Sequence, residues 1–206
     1  MIRVDIREKR FGDSPVLGRL SFEIAPGETV AILGPSGIGK STLLRIIAGI
    51  DRRFEGRVER PEAMAIVFQE PTLLPWRSVM QNLTLVHPGL DETSARAMLD
   101  KVGLGGKDAL FPGQLSLGQQ RRLALARAFA GRPEFLIMDE PFVSLDPATA
   151  ETMLTLTETL IAEQRPATLF VTHARPEATR LADRILELRG TPATLAPHLI
   201  KEGQTP

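Results

Sequence analysis

Nine consecutive residues, Gly34-Pro35-Ser36-Gly37-Ile38-Gly39-Lys40-Ser41-Thr42, have the form G-x-x-x-x-G-K-[ST]. The chemistry that fits this spacing is phosphate binding. Glycines let the backbone turn so that successive N–H groups face phosphate oxygens. A helix opening directly afterwards adds the positive end of its dipole. The Lys40 ammonium is placed to reach β- and γ-phosphates, and the Ser41 hydroxyl is a ligand for Mg2+. The plain alternative is a glycine turn before an ordinary helix. The apolar stretch Thr29 to Leu33 before the loop, and Leu43 to Ala48 after it, supply the strand–loop–helix setting that favours phosphate.

A second constellation lies in Phe135-Leu136-Ile137-Met138-Asp139-Glu140, four apolar residues ending in two carboxylates. A buried strand of this kind delivers Asp139 to a Mg2+ shell, directly or through water. Glu140 points the other way by strand alternation. It is suited to polarise an attacking water as general base. Without the phosphate loop the same residues read as a strand running into a polar turn.

Positioning these groups requires strands and helices in alternation. Short apolar runs at Ile2 to Arg7, Leu20 to Ile24, Thr29 to Leu33, Met64 to Phe68, Phe135 to Met138, Thr168 to Thr172 and Arg184 to Leu188 predict strands. Several are continuous Val/Ile/Leu runs, as in parallel strands buried on both faces. Asp146-Pro147 is a helix start. The helix to Gln164 is predicted to bury Met153, Leu156, Leu160 and Ile161. The region Pro71 to Phe111 is helical near Glu92 to Val102 and rich in turns, and reads as a helical lobe inserted between two strands. The tail from Gly190 carries no clear period. The fold class expected is α/β, a P-loop NTPase with a mainly parallel sheet core, an N-terminal antiparallel β portion and an inserted α-helical lobe.

Leu115-Ser116-Leu117-Gly118-Gln119-Gln120 precedes a helical run from Arg121 to Ala130. Locally, Ser116 and Gln119 form an S-x-x-Q capping box. Placed between the lobe and Asp139, the segment also resembles L-S-G-G-Q, the signature of the ATP-binding subunits of ABC transporters. The resemblance spans roughly Ile2 to Leu188, most like the nitrate, sulfonate and taurine importer group. It implies a Q-loop glutamine at Gln69 and a D-loop at Ser144-Leu145-Asp146. It implies a switch histidine at His173, 33 residues after Glu140. It puts Phe11 where the family stacks an aromatic ring on adenine, against the alternative that Phe11 is core. His87 and His198 have no such context and read as structural. Leu117 stands where the family has glycine, and the stretch from Ile50 to Phe68 is short, which implies a trimmed peripheral β-segment.

The resemblance implies one domain over 1–206, with a nucleotide-binding core at 1–70 and 132–206 and a helical subdomain at 71–131. The cofactors implied are ATP and Mg2+, the metal held by Ser41, Gln69 and Asp139. Catalysis is assigned to Glu140, His173 and Gln69. In the family, ATP is sandwiched in a head-to-tail dimer, so Ser116, Gly118, Gln119 and Asp146 are expected to act on the nucleotide of a second copy. Glu70 to Val79 corresponds to the surface that receives a permease, with Leu73, Leu74, Trp76 and Arg77 as contacts. An extracytoplasmic solute-binding protein completes the implied complex, on the inner face of the cell membrane.

Composition narrows the alternatives. Lysine plus arginine equals the acidic residues, 25 each. A globally basic nucleic-acid binder is therefore excluded, and direct nucleic-acid binding is not expected. The absence of cysteine removes thiol catalysis and Cys-ligated metals. No apolar run approaches the ~18 residues of a membrane span, and the start of the chain lacks a signal peptide's apolar core. A soluble, unexported chain without a sizeable C-terminal regulatory domain is expected. The alternative functions are a soluble ABC-type ATPase on DNA or ribosomes, a nucleotide-dependent regulator without turnover, and small-molecule phosphotransfer.

Overall fold

The computed structural model describes residues 1–196; His198 lies outside the described residues. The chain forms two compact units. Among the described residues, one unit holds 1–66, 134–140 and 165–196; the other holds 67–133 and 141–164.

The first unit opens with antiparallel strands β1 (Ile2–Phe11), β2 (Ser14–Leu17) and β3 (Leu20–Ile24). β4 (Thr29–Leu33) leads into helix α1 (Lys40–Ile47). β5 (Glu55–Glu59) returns antiparallel along β1, so the short stretch after Ile50 still carries a strand. β6 (Met64–Val67) stops one residue before Phe68.

The second unit contains α2 (Val79–Thr84), α3 (Glu92–Lys101), α4 (Leu117–Ala130) and, further along, α5 (Pro147–Gln164). The first unit is completed by β7 (Phe135–Asp139), β8 (Ala167–Thr172), α6 (Arg175–Leu181), β9 (Arg184–Arg189) and β10 (Thr194–Leu195). The main sheet runs β10-β9-β4-β8-β7-β6. β4 is parallel to both β8 and β9, and β7 is parallel to β8. β4, β8 and four residues of β7 are buried, which is why they read as unbroken apolar runs.

The first unit's core joins Ile2, Val4 and Ile6 of β1 to Val30 and Ile32 of β4 and to Leu43, Ile46 and Ile47 of α1. Each such side chain contributes about 1.5–3 kcal/mol on full burial. This packing fixes the start of α1, and hence Lys40, against the end of β4.

Three expectations change. The antiparallel portion has more strand than its alternation indicates, because β2 and β5 are short and carry half-buried or exposed residues. α5 buries Met153, Thr157 and Leu160, while Leu156 and Ile161 are half-buried. Thr157 is tolerated at 0% exposure because its hydroxyl donates to the Met153 carbonyl at 2.7 Å. Finally, residues 141–164 group with the helical unit rather than the sheet. Gln164 donates to the Phe129 carbonyl of α4 at 3.1 Å, and Glu163 pairs with Lys101 of α3.

Candidate functional site

The phosphate loop turns on glycines in the left-handed region. Gly37 has φ 78° and Gly39 φ 110°. A Cβ on Gly39 would also come within 2.9 Å of the Leu17 side chain, so that position excludes any larger residue twice over. Gly39 is the N-cap of α1 and supplies no side-chain acceptor. The first N–H groups of the helix are left for an anion.

Lys40 is 4% exposed. Its ammonium donates to the carbonyls of Gly34 at 2.8 Å and Pro35 at 3.1 Å and pairs with Glu140 Oε1 at 3.1 Å. The other oxygen of the same carboxylate, Oε2, lies 3.1 Å from His173 Nδ1. Glu140 reaches both because its backbone is left-handed, with φ 44°, a conformation that strains a residue with a Cβ. Its N–H donates to the Val171 carbonyl at 3.1 Å, which stitches the turn to β8.

Ser41 Oγ donates to Asp139 Oδ1 at 3.1 Å. Burial raises the Asp139 carboxyl above its ordinary range, and the neighbouring Glu140 charge adds to the rise. A hydroxyl oxygen beside a poorly solvated carboxylate gives hard donors that fit a divalent cation. Phe11, at the end of β1, is 55% exposed rather than core. It lines a cavity of about 640 Å3 together with Thr42, the last residue of the phosphate loop.

One contributor was not legible in sequence. Glu177, in the first turn of α6, accepts from Thr172 Oγ1 at 2.5 Å, and Thr172 Oγ1 accepts from Ala174 N–H at 3.0 Å. The two bonds bracket His173. Burial pushes the Glu177 carboxyl up. The only prior signal was an acid four residues after the histidine.

The second unit carries the remaining residues. Gln69 is exposed in a bend after β6. Ser116 and Gln119 form both bonds of the capping box, at 3.3 and 3.0 Å, so the local reading of that pair holds. Leu117 is half exposed at the first position of α4. Gly118 lies close to α5, where a Cβ would meet Thr149 Cγ2 at 3.1 Å. Asp146 caps α5 by accepting from Thr149 N–H at 3.1 Å. Thr149 holds its carboxyl below the ordinary range. Arg121 of α4 is 8% exposed and donates to the carbonyls of Pro141 at 3.3 Å and Val143 at 2.6 Å.

Leu73 and Leu74 are half-buried, while Trp76 is 67% exposed and Arg77 is exposed. Their loop is held from two sides. Arg127 donates to the Thr72 carbonyl at 2.8 Å. Asn82, 0% exposed, accepts from Leu74 N–H at 2.8 Å and donates to the carbonyls of Leu74, Arg77 and Ser78. His87 is structural, as expected, with Nε2 2.7 Å from the Arg127 carbonyl.

Known proteins match this arrangement. The family model described as ABC transporter matches residues 17–143. The aliphatic sulfonates import ATP-binding protein SsuB 3 of Nocardia farcinica is 48% identical over 189 residues, 91% of this chain and 76% of that protein. SsuB 2 of Rhizobium johnstonii is 47% identical over 183 residues, 87% of this chain and 74% of its own. A dimeric bacterial ABC transporter cassette superposes with TM-score 0.83 at 28% identity, covering 99% of this chain and 100% of that one. A dimeric cassette in a post-hydrolysis state, bound to ADP and Pi, superposes at 0.81 with 27% identity, over 99% of this chain and 100% of that one. The chain belongs to the ABC transporter ATP-binding family. It binds ATP and hydrolyses it to power transport.

Proposed function

We propose that the chain energises an importer of small organic oxyanions, aliphatic sulfonates foremost, through a separate integral-membrane permease. The sulfonate class rests on the names of the import proteins it resembles at 45–48% identity. An extracytoplasmic solute-binding protein delivers the cargo. The subunit sits at the cytoplasmic face of the membrane by docking to the permease through Leu73, Leu74, Trp76 and Arg77. Among the described residues no helix is long and apolar enough to cross a bilayer itself. The whole chain acts as one ATPase domain.

Within the site, residues 34–42 cradle the triphosphate and Lys40 binds its β- and γ-phosphates. Ser41 and Asp139 would hold Mg2+, which would neutralise charge on the phosphate oxygens, and Gln69 is the third ligand that the family resemblance implies. Glu140 takes a proton from the attacking water as general base. His173 orients that water and the γ-phosphate, and Phe11 stacks on the adenine ring. Two copies close head to tail, and Ser116, Gly118, Gln119 and Asp146 of each contact the nucleotide of the other. The positive end of α4 then faces a γ-phosphate.

One observation carries this reading: a single carboxylate spans the phosphate-loop lysine and a histidine, with one oxygen 3.1 Å from each. That arrangement supports Glu140 as a base beside a γ-phosphate held at Lys40. The test is Glu140→Gln, followed by ATPase rate and by light scattering with ATP. Slow hydrolysis with accumulation of dimer supports the assignment, and turnover at the parent rate removes it.

A further inference from the structure

β1 alternates regularly at first: Ile2, Val4 and Ile6 are buried, and Arg3, Asp5 and Arg7 are exposed. The register then slips twice, between Ile6 and Glu8 against β5 and between Lys9 and Arg10 against β2. The slip turns Lys9 inward to 2% exposure. An ammonium at that depth is costly unless every donor finds a partner.

Lys9 finds three. Nζ donates to the Arg53 carbonyl at 2.7 Å, pairs with Asp51 Oδ2 at 2.7 Å, and stands 4.5 Å from the centroid of the Phe11 ring. The Lys9 hydrogen bond holds the Asp51 carboxyl below its ordinary range. Asp51 is itself fixed, since its N–H donates to the Arg45 carbonyl in α1 at 3.0 Å. A continuous set of contacts therefore runs from α1 through Asp51 and Lys9 to Phe11. The same helix begins at Lys40.

We propose that Lys9 is a positioning residue for nucleobase binding: its buried ammonium fixes the exposed Phe11 ring and ties it to the helix that bears the phosphate loop. This rests on Phe11 being the base-stacking ring. A half-exposed phenylalanine at a strand end would otherwise lose rotamer freedom when a base stacks on it. A cation on one face orders the ring beforehand and leaves the other face for a purine. Base and triphosphate are thereby measured against opposite ends of one rigid element.

The test compares ATP with tripolyphosphate, which has no base, by equilibrium binding to the full chain. Lys9→Met should weaken ATP about 3- to 10-fold and leave tripolyphosphate within about two-fold, with the loss appearing in KM rather than kcat. Asp51→Asn, which keeps the shape and removes the counter-charge, should move ATP in the same direction. It stands in if Lys9→Met unfolds by circular dichroism. Equal losses for both ligands would mean a purely structural role and overturn the proposal. So would unchanged ATP affinity in Lys9→Met alongside weakened ATP in Phe11→Ala. Unchanged ATP affinity in Phe11→Ala would instead remove the stacking role of Phe11, and the proposal with it.

Discussion

Ser41 and Asp139 meet at 3.1 Å although 98 positions separate them. The first turn of α1 and the end of β7 are thereby brought to one point. Burial raises the Asp139 carboxyl, and a bound cation reverses that effect by stabilising the charged form.

Asp139→Asn should raise the Mg2+ concentration for half-maximal ATPase by about 10- to 100-fold. A magnesium titration at fixed ATP measures it, and an unshifted midpoint would take Asp139 out of the metal shell.

As the proposed general base, Glu140 allows binding to be separated from chemistry. Its carboxylate pairs with the Lys40 ammonium at 3.1 Å, the group proposed to bind the β- and γ-phosphates. Glu140→Gln should slow single-turnover hydrolysis by about 10^2- to 10^4-fold. ATP affinity should hold or improve, because one negative charge near the phosphates is gone. Lys40→Ala should lose triphosphate binding itself, as filter binding would show.

Glu177 provides a pH test whose sign is fixed. Burial raises its pKa, so the folded protein holds this proton more tightly than the unfolded chain. Stability from this group is therefore greatest at low pH and falls as pH rises from the ordinary glutamate value through the raised one. Glu177→Gln removes the effect. Its melting temperature relative to the parent should climb between pH 4 and pH 7. A difference that is flat or shrinks with pH would show that the carboxyl is not desolvated.

Asn82→Ala should cost about 2–4 kcal/mol, because it orphans the Leu74 N–H and three carbonyl contacts at a fully buried site. Denaturant melts give the value. The same change frees the loop carrying Trp76, so affinity for the permease should fall more than ATP affinity does. A stabilised variant that still binds the permease normally would separate the loop from docking.

Much of this was readable along the chain, for identifiable reasons. The strands that end at Asp139 and just before His173 are buried on both faces, and burial writes itself as an apolar run. The phosphate loop is local, so its geometry follows from glycine positions alone. Lys9 was hidden because the register slip between Ile6 and Glu8 turns a lysine inward where alternation gives no such signal. Thr157 was hidden because a hydroxyl satisfied by its own helix behaves as an apolar group. Asn82 sits in a plain helical run, and its four contacts are with a loop that has no period. The Glu140 contact to His173 needed a left-handed residue that no propensity predicts.

Arg121 joins the helix behind Ser116 to the two carbonyls just past Glu140. Both bonds come from one guanidinium nitrogen, Nη1, so a single planar NH2 group ties the two carbonyls to α4. A tilt of α4 therefore pulls directly on the backbone at Pro141 and Val143.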